Sequence, residues 1–349
     1  MPNLVDIMSD DAFGAITLTN SFMERDHVPG RAGELVFAGI GEGIDTDTVV
    51  IEVGTETLSV IPTRERGAPA QPETRERRKL HSMVVPHIPL DDRIKASEVR
   101  NVRQMGQTEA VQTVQQKLGM GLGKMGRRHD LTIENLRMGA LLGRIPDADG
   151  TVLVNLFTTF GVTQPTAVSF ELDVASTEIR GICQQVRRTM MKNAKTTIPA
   201  SARIWAFAGD TFFDALIDHP NVKGVYDGYA QAARRLGDDY TYDVFEFGGI
   251  FFENYRGTDN ADGSSNTESG GGVGIAPDEC RFFWTGVPGL YGEYYSPGDF
   301  VDTIGSVGLP RYASVALDPL HGRFIDVHTE QNPLPICMRP KTLMRGTLT

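Results

Sequence analysis

From Gln107 to Leu142, apolar or ambivalent side chains recur at Val111, Val114, Leu118, Leu122, Met125, His129, Ile133, Leu136 and Ala140, in steps of three and four. That spacing places them on one face of a helix of 3.6 residues per turn. At 1.5 Å per residue the stretch would run roughly 54 Å, so a long spine helix is predicted. Gly119, Gly121, Gly123 and Gly126 lie in its middle. Each weakens a helix by about 1 kcal/mol relative to alanine, and the spine is expected to be weakest, and to bend, there.

Upstream, TDTVVIEVGTETLSVIP (46–62) is rich in β-branched residues around Gly54, which predicts strand, turn, strand. TRERGAPAQPETRERRK (63–79) then has no apolar period, and MVVPHIPL (83–90) is apolar again. The pattern is a long projecting excursion with a charged end. Residues 1–43 carry short apolar patches broken by Pro29, Gly30, Gly33, Gly39, Gly41 and Gly43, as in an extended arm.

Downstream, DADG (147–150) predicts a turn and TVLVNLFTTFG (151–161) a strand. Ser176 is the expected N-cap of a helix with Ile179, Ile182, Val186 and Met190 on one face. RIWAFAG (203–209) reads as a buried strand, and Asp210 as the N-cap of TFFDALIDH, which Pro220 closes. Val222 to Leu236 predicts another short helix, and VFEFGGIFFENY (244–255) a strand pair turning at Gly248 and Gly249. Residues 256–274 are polar and of low complexity, a surface loop. Pro310, Pro319, Pro333, Pro335 and Pro340 exclude a long C-terminal helix and leave short strands. Helices and strands alternating on this scale indicate a mixed layered structure.

Composition narrows the function classes. With 349 residues, 40% hydrophobic and 23% charged, the chain is globular and long enough for two domains or one elaborate one. Its 34 basic against 45 acidic residues give a net charge of −11, which argues against a surface that grips a phosphate backbone. Cys183, Cys280 and Cys337 are far apart and form no CxxC, so reduced thiols in a cytosol are expected. No basic and apolar leader opens the sequence and no run of 18 apolar residues occurs, so neither export by that route nor a membrane span is expected.

Catalytic and metal motifs are weak. Gly121-Leu-Gly-Lys-Met-Gly126 matches a dinucleotide fingerprint, but its glycines fall inside the helical stripe instead of in a strand-to-helix turn. It also fails as a phosphate-binding loop, because Met125 follows Lys124 and Leu118 stands where the first glycine belongs. The segment Thr258, Asn260, Asp262, Gly263 resembles part of a calcium loop, yet Ser269 occupies the position of the closing glutamate. His27, His81, His87, His129, His219, His321 and His328 show no metal-ligand spacing. No cofactor is expected. A cytosolic α/β enzyme would have to assemble its site in space, from residues such as Asp173, Glu178, Asp210 and His219.

Two features point outward instead. Between Thr63 and Lys79 the local balance is +3 in a chain of −11. It suits either a solvated loop or a basic arm meeting an acidic neighbour. In CRFFWTGVPGLYGEYYSPGDF (280–300), core packing accounts for Phe282, Phe283 and Trp284, while the tyrosines would equally suit a subunit interface.

Three stretches together resemble the lambda-like major capsid proteins of tailed phages, the phage capsid protein E family. They are HVPGRAGEL (27–35) with IPTRERGAP (61–69), VPHIPLDDRIKASEVRNVRQMG (85–106), and YYSPGDFVDTIGSVGLPRYAS (294–314) with GRFIDVHTEQNPLPICMRPKTLM (322–344). The resemblance implies the α+β fold shared by tailed-phage and herpesvirus major capsid proteins, the Johnson fold. On that plan the N-terminal arm spans 1–43, the extended hairpin loop 44–92, the peripheral domain with the spine helix 93–168, the axial domain 169–317, and a return to the peripheral domain 318–349. It implies a non-enzymatic virion protein, built in the host cytoplasm into hexamers and pentamers of an icosahedral head around double-stranded DNA. Family partners include decoration protein, scaffolding protein and portal, with no membrane. The expected subunit contacts are Arg31 and Glu34 in the arm, Arg64, Arg66, Arg75, Arg77, Arg78 and Lys79 in the loop, and Tyr294 and Tyr295. An encapsulin-like compartment shell is the near alternative in fold.

Overall fold

The computed structural model describes residues 27–55, 77–99, 114–225, 244–258 and 273–349. The expectations for residues 1–26, the loop end at 56–76, the helix start at 107–113, the helix at 226–236 and the polar loop at 259–272 lie outside them. The chain divides into two compact units. One comprises Met1–Asp26, Asp91–Lys124 and Ser314–His328, the other His27–Leu90, Met125–Ala313 and Thr329–Thr349.

Along the chain run β1 (Gly41–Gly43), β2 (Thr48–Thr55), β3 (Arg77–Val84), β4 (Ile88–Lys95), α1 (Val114–Leu142), β5 (Arg144–Pro146), β6 (Val152–Asn155) and β7 (Val168–Ser169). There follow α2 (Ile179–Ala194), β8 (Arg203–Ala208), α3 (Asp210–Asp218), β9 (Val244–Phe247), β10 (Ile250–Asn254), β11 (Glu279–Thr285) and β12 (Tyr291–Tyr295). The last strands are β13 (Tyr312–Leu317), β14 (Phe324–Gln331), β15 (Pro333–Cys337) and β16 (Met344–Thr347).

The larger unit holds a six-stranded sheet in the order β7-β16-β11-β8-β10-β9. Its centre is apolar because β8, β10 and β11 supply Ile204, Ala206, Phe207, Phe252, Phe282, Phe283 and Trp284, all buried. Phe207 and Phe283 meet edge to face at 4.7 Å, and Phe170 stacks on Phe282 at 5.8 Å, geometries that aromatic pairs favour. Helix α2 lays Ile179, Cys183, Val186 and Met190 on this core, and α3 adds Phe212, Phe213 and Leu216. A second sheet, β1-β12-β15, carries Gly41–Gly43 as its edge strand. The three cysteines are free and buried, and burial pushes Cys183 and Cys337 up to about 12.

From Met125 onward the stripe on the spine is buried as its spacing predicts, whereas Leu118 and Leu122 are half-buried and Val114 is exposed. In the larger unit Met125, His129, Ile133, Leu136 and Ala140 are all buried, and the helix runs unbroken through all four glycines. The dinucleotide-like glycines are therefore helix interior. The strand pair at 244–255 also forms, with Gly248 and Gly249 at φ +61° and +81°. Those are the left-handed values a two-residue hairpin turn demands.

Four local expectations are corrected. Gly54 does not turn the chain, since β2 continues through it and pairs with β3 in one antiparallel register from Thr48–Val84 to Thr55–Arg77. Six β-branched neighbours outweigh a single glycine. The strand expected over 151–161 ends at Asn155, whose side chain accepts the Phe157 and Thr158 N–H groups and caps a short helix, Leu156–Thr159. The caps of α2 and α3 are Glu178 and Gly209 rather than Ser176 and Asp210, with Asp210 as the first helical residue. Finally, the arm is not extended throughout. Residues 31–37 coil into a helical turn because Ala32 and Phe37 bury themselves in the core.

Candidate functional site

That helical turn is the best-defined polar centre of the larger unit. Its first N–H groups are unsatisfied by the helix itself. Glu134 of α1 meets them: the N–H of Ala32 donates to Oε1 at 2.7 Å and that of Gly33 to Oε2 at 3.1 Å. The Tyr255 hydroxyl donates to Oε1 as well, at 3.3 Å. Beside it, Arg31 grips Glu253 of β10 with Nε at 2.7 Å and a second nitrogen at 3.3 Å. One turn along α1, Arg137 grips Glu293 of β12 the same way, at 2.8 and 3.0 Å. Glu134, Glu253 and Glu293 are all buried. The guanidiniums also lie over rings, Arg31 over Trp205 and Arg137 over Phe37.

Three buried carboxylates therefore lie beside two guanidiniums, with the exposed Glu34 also on Arg31. Burial raises the Glu134 pKa, against the pull of the Ala32 and Gly33 N–H groups, Arg137 and Tyr255. Burial likewise raises Glu253, opposed by Arg31 and assisted by the nearby charge of Glu34. For Arg137 burial acts downward, but Glu293 and then Glu134 outweigh it and hold the proton more tightly than usual. Such pairs are demanding in geometry. They fix the helical turn at 31–37 to the spine and to two sheets.

A second polar centre is the run Thr329-Glu330-Gln331-Asn332, buried throughout. Thr329 meets His129 Nε2 at 3.0 Å and donates to the Leu90 carbonyl. Glu330 accepts the Asp299 N–H, and Asn332 reaches both His87 and the Pro297 carbonyl. This is why HTEQNPLPI is polar at the end of β14 and at Asn332 before β15. It ties the hairpin root and the 296–300 loop to the spine.

The predicted contact residues fall into three groups. Arg64, Arg66 and Arg75 lie outside the described residues. Arg77, Arg78 and Lys79 open β3; Arg78 pairs with Glu52 across the hairpin at 3.3 Å, with both side chains exposed. On the ribbon, Val49 and Met83 are buried while Val50, Leu80 and Val84 on the other face are exposed. Arg31 is engaged inside its own chain, with Glu34 exposed beside it at 3.1 Å. Tyr295 is buried against Gly41, where an added Cβ would fall 2.6 Å from the ring, and burial pushes its hydroxyl to about 12; Tyr294 is half-buried. Residues Glu134, Arg137, Glu253 and Glu293 were not among the candidates.

The spatial enzyme site does not form around His219. Its Nδ1 accepts the Asn221 N–H and its Nε2 faces the Val174 carbonyl, so both nitrogens serve the fold. Asp173, Glu178 and Asp210 are exposed. Among the described residues no cluster of His, Cys, Asp or Glu could hold a metal ion, and no helix is long and apolar enough to cross a membrane.

The family model for phage major capsid protein E matches residues 15–348. The chain belongs to that family. The major capsid protein of Pseudomonas phage KPP10 is 27% identical over 321 residues, covering 87% of this chain and 89% of the relative. Among solved structures, the mature capsid asymmetric unit of bacteriophage PhiM1 superposes with a TM-score of 0.53 at 12% identity, over 96% of this chain and 90% of that one. The capsid asymmetric unit of cyanophage A-1(L) does so with a TM-score of 0.53 at 12% identity, over 98% and 99%. The fold is thus the α+β fold of tailed-phage capsid proteins, and the protein is a structural, non-enzymatic capsid protein of the virion.

Proposed function

We propose that this capsid protein assembles in the host cytoplasm into hexamers and pentamers of an icosahedral head that encloses double-stranded DNA without adhering to it. The observation that carries the reading is the family match over 15–348. A net charge of −11 supports confinement over adhesion, because acidic surfaces repel a phosphate backbone. In this reading residues 1–43 are the arm, 44–92 the extended loop, 93–168 with 318–349 the peripheral domain, and 169–317 the axial domain. The loop end, basic through Arg64, Arg66, Arg75, Arg77, Arg78 and Lys79, bridges the acidic surface of a neighbour, with Tyr294 lining the contact. Scaffolding protein, portal and decoration protein complete the assembly.

Electron microscopy of the overexpressed protein tests the reading. Closed shells built of rings of six and five are expected, and a strictly monomeric species under every assembly condition and in virions would refute it. Reversing Arg75, Arg77 and Arg78 to Glu is expected to abolish shells. The fold survives, because the exposed Arg78–Glu52 pair contributes only about 0–1 kcal/mol. Normal heads from the triple variant would reduce the loop charge to decoration.

A further inference from the structure

One three-stranded sheet has the order β13-β14-β4, with β14 in the middle. Strand β13 is unusual for an edge. Ser314, Val315, Ala316 and Leu317 are consecutive and all exposed, with Val315 at 51% and Leu317 at 52%. Successive strand residues point to opposite faces, so from Ser314 to Leu317 the strand is exposed on both faces. Among the described residues no strand lies beyond its outer edge.

Two devices that normally blunt such an edge, charge and proline, are missing from the strand itself. Tyr312–Leu317 contains no charged residue and no proline, in a chain where 23% of residues are charged. An edge of this composition is a template for pairing with another strand. The turn that follows adds an anchor. The Asp318 carboxylate accepts the N–H groups of Leu320 and Arg323, and the Gly322 N–H closes on the Asp318 carbonyl. Leu320 stands in that turn at 82% exposure, its backbone N–H held by Asp318.

We propose that the outer edge of β13, with Leu320 beside it, is a contact surface that pairs with a strand of a second copy of this chain. Charge selects that occupant. Two copies each carrying −11 repel over most of their surface, and a charge-free edge lets them approach without like charges set opposite each other. The proposal rests on the reading of the protein as a self-assembling shell, and the test separates the two.

Cys183, Cys280 and Cys337 are buried, so Ala316→Cys introduces the accessible thiol. Its labelling by a maleimide is followed in the unassembled subunit and in particles made of this chain alone. Labelling is expected to slow about tenfold or more on assembly, as pairing closes the edge. Amide hydrogen exchange across 312–317 in the unsubstituted protein gives the same readout without a variant, and is expected to slow in parallel. Equal labelling and equal exchange in free and assembled protein would overturn the proposal while leaving the shell intact. Protection confined to heads that contain other proteins would overturn the second copy as occupant. Absence of particles from the unsubstituted chain under all conditions would instead strike at the shell reading itself.

Discussion

Arg137→Met removes the positive partner of Glu293 while keeping most of the side-chain volume. Both nitrogens that grip Glu293, at 2.8 and 3.0 Å, are lost, and the carboxylate stays behind at 1% exposure. Removing one partner of a buried pair destabilises by about 3–5 kcal/mol, because the other is left as an uncompensated charge. The Arg137 side chain is 19% exposed, so water reaches one edge of the pair and the lower end applies. Glu134 loses the charge of Arg137 as well, which pushes the other way. At roughly 2–4 °C per kcal/mol, the midpoint should fall by about 6–20 °C. The double variant Arg137→Met, Glu293→Leu removes both charges and should recover most of the loss. Urea unfolding of the unassembled subunit, with the slope checked to be unchanged, measures both. A single variant costing under about 1 kcal/mol, or a double no better than the single, would refute the buried-charge argument.

Burial and then the Arg311 charge lower the His129 pKa, with Asp130 acting against them. The unfolded chain takes up this proton near pH 6.5 before the folded chain does, so stability present above that value is lost as pH falls through it. Comparing urea midpoints at pH 7.5 and 5.5, His129→Asn should remove up to about 1.4 kcal/mol of that loss; an unchanged pH dependence would show that His129 already titrates normally. At Gly248, φ is +61° and an added Cβ would lie 2.5 Å from the Cys183 Cβ. Gly248→Ala should therefore cost about 2 kcal/mol or more, from left-handed strain plus overpacking, and a thermal midpoint within a degree of the unsubstituted protein would contradict it.

Legibility in the sequence followed periodicity. The spine stripe from Met125 to Ala140 and the runs that became β8, β10 and β11 each present one uninterrupted apolar face, so local spacing and final burial agree. Gly54 misled because a turn signal is statistical, whereas the pairing of β2 with β3 is settled by eight residues acting together. The arm misled because Ala32 and Phe37 gain burial only against parts of the chain far away in sequence. The buried charges did leave a trace: Glu134 and Arg137 interrupt ENLRMGALL, Glu253 interrupts IFFENY and Glu293 interrupts YGEYY. A charge inside an apolar run must find a partner or move to the surface. Which arginine meets which glutamate spans up to 222 positions, and no local pattern encodes it. The proposed contact surfaces were partly legible for the opposite reason, since the loop charges could be counted while the neutral β13 could not be recognised as exposed.

These two outcomes belong together. In a protein that works alone, charges lie outside and apolar side chains inside. Here Glu134, Glu253 and Glu293 are interior, while Val301, Ile304, Leu320 and Val84 are left in solvent. Interior ion pairs add little net stability, but each admits few geometries. They are therefore suited to holding the departure of the arm from the core at one angle in every copy. Exposed apolar side chains add nothing to an isolated subunit and become favourable only when a neighbour covers them. A capsid protein needs both properties, because a closed lattice requires identical subunits with fixed directions of contact and a driving force that appears only on contact. Exchanging the two sets, with apolar residues at 134, 253 and 293 and charges along 312–320, would give a better isolated monomer and a poorer shell.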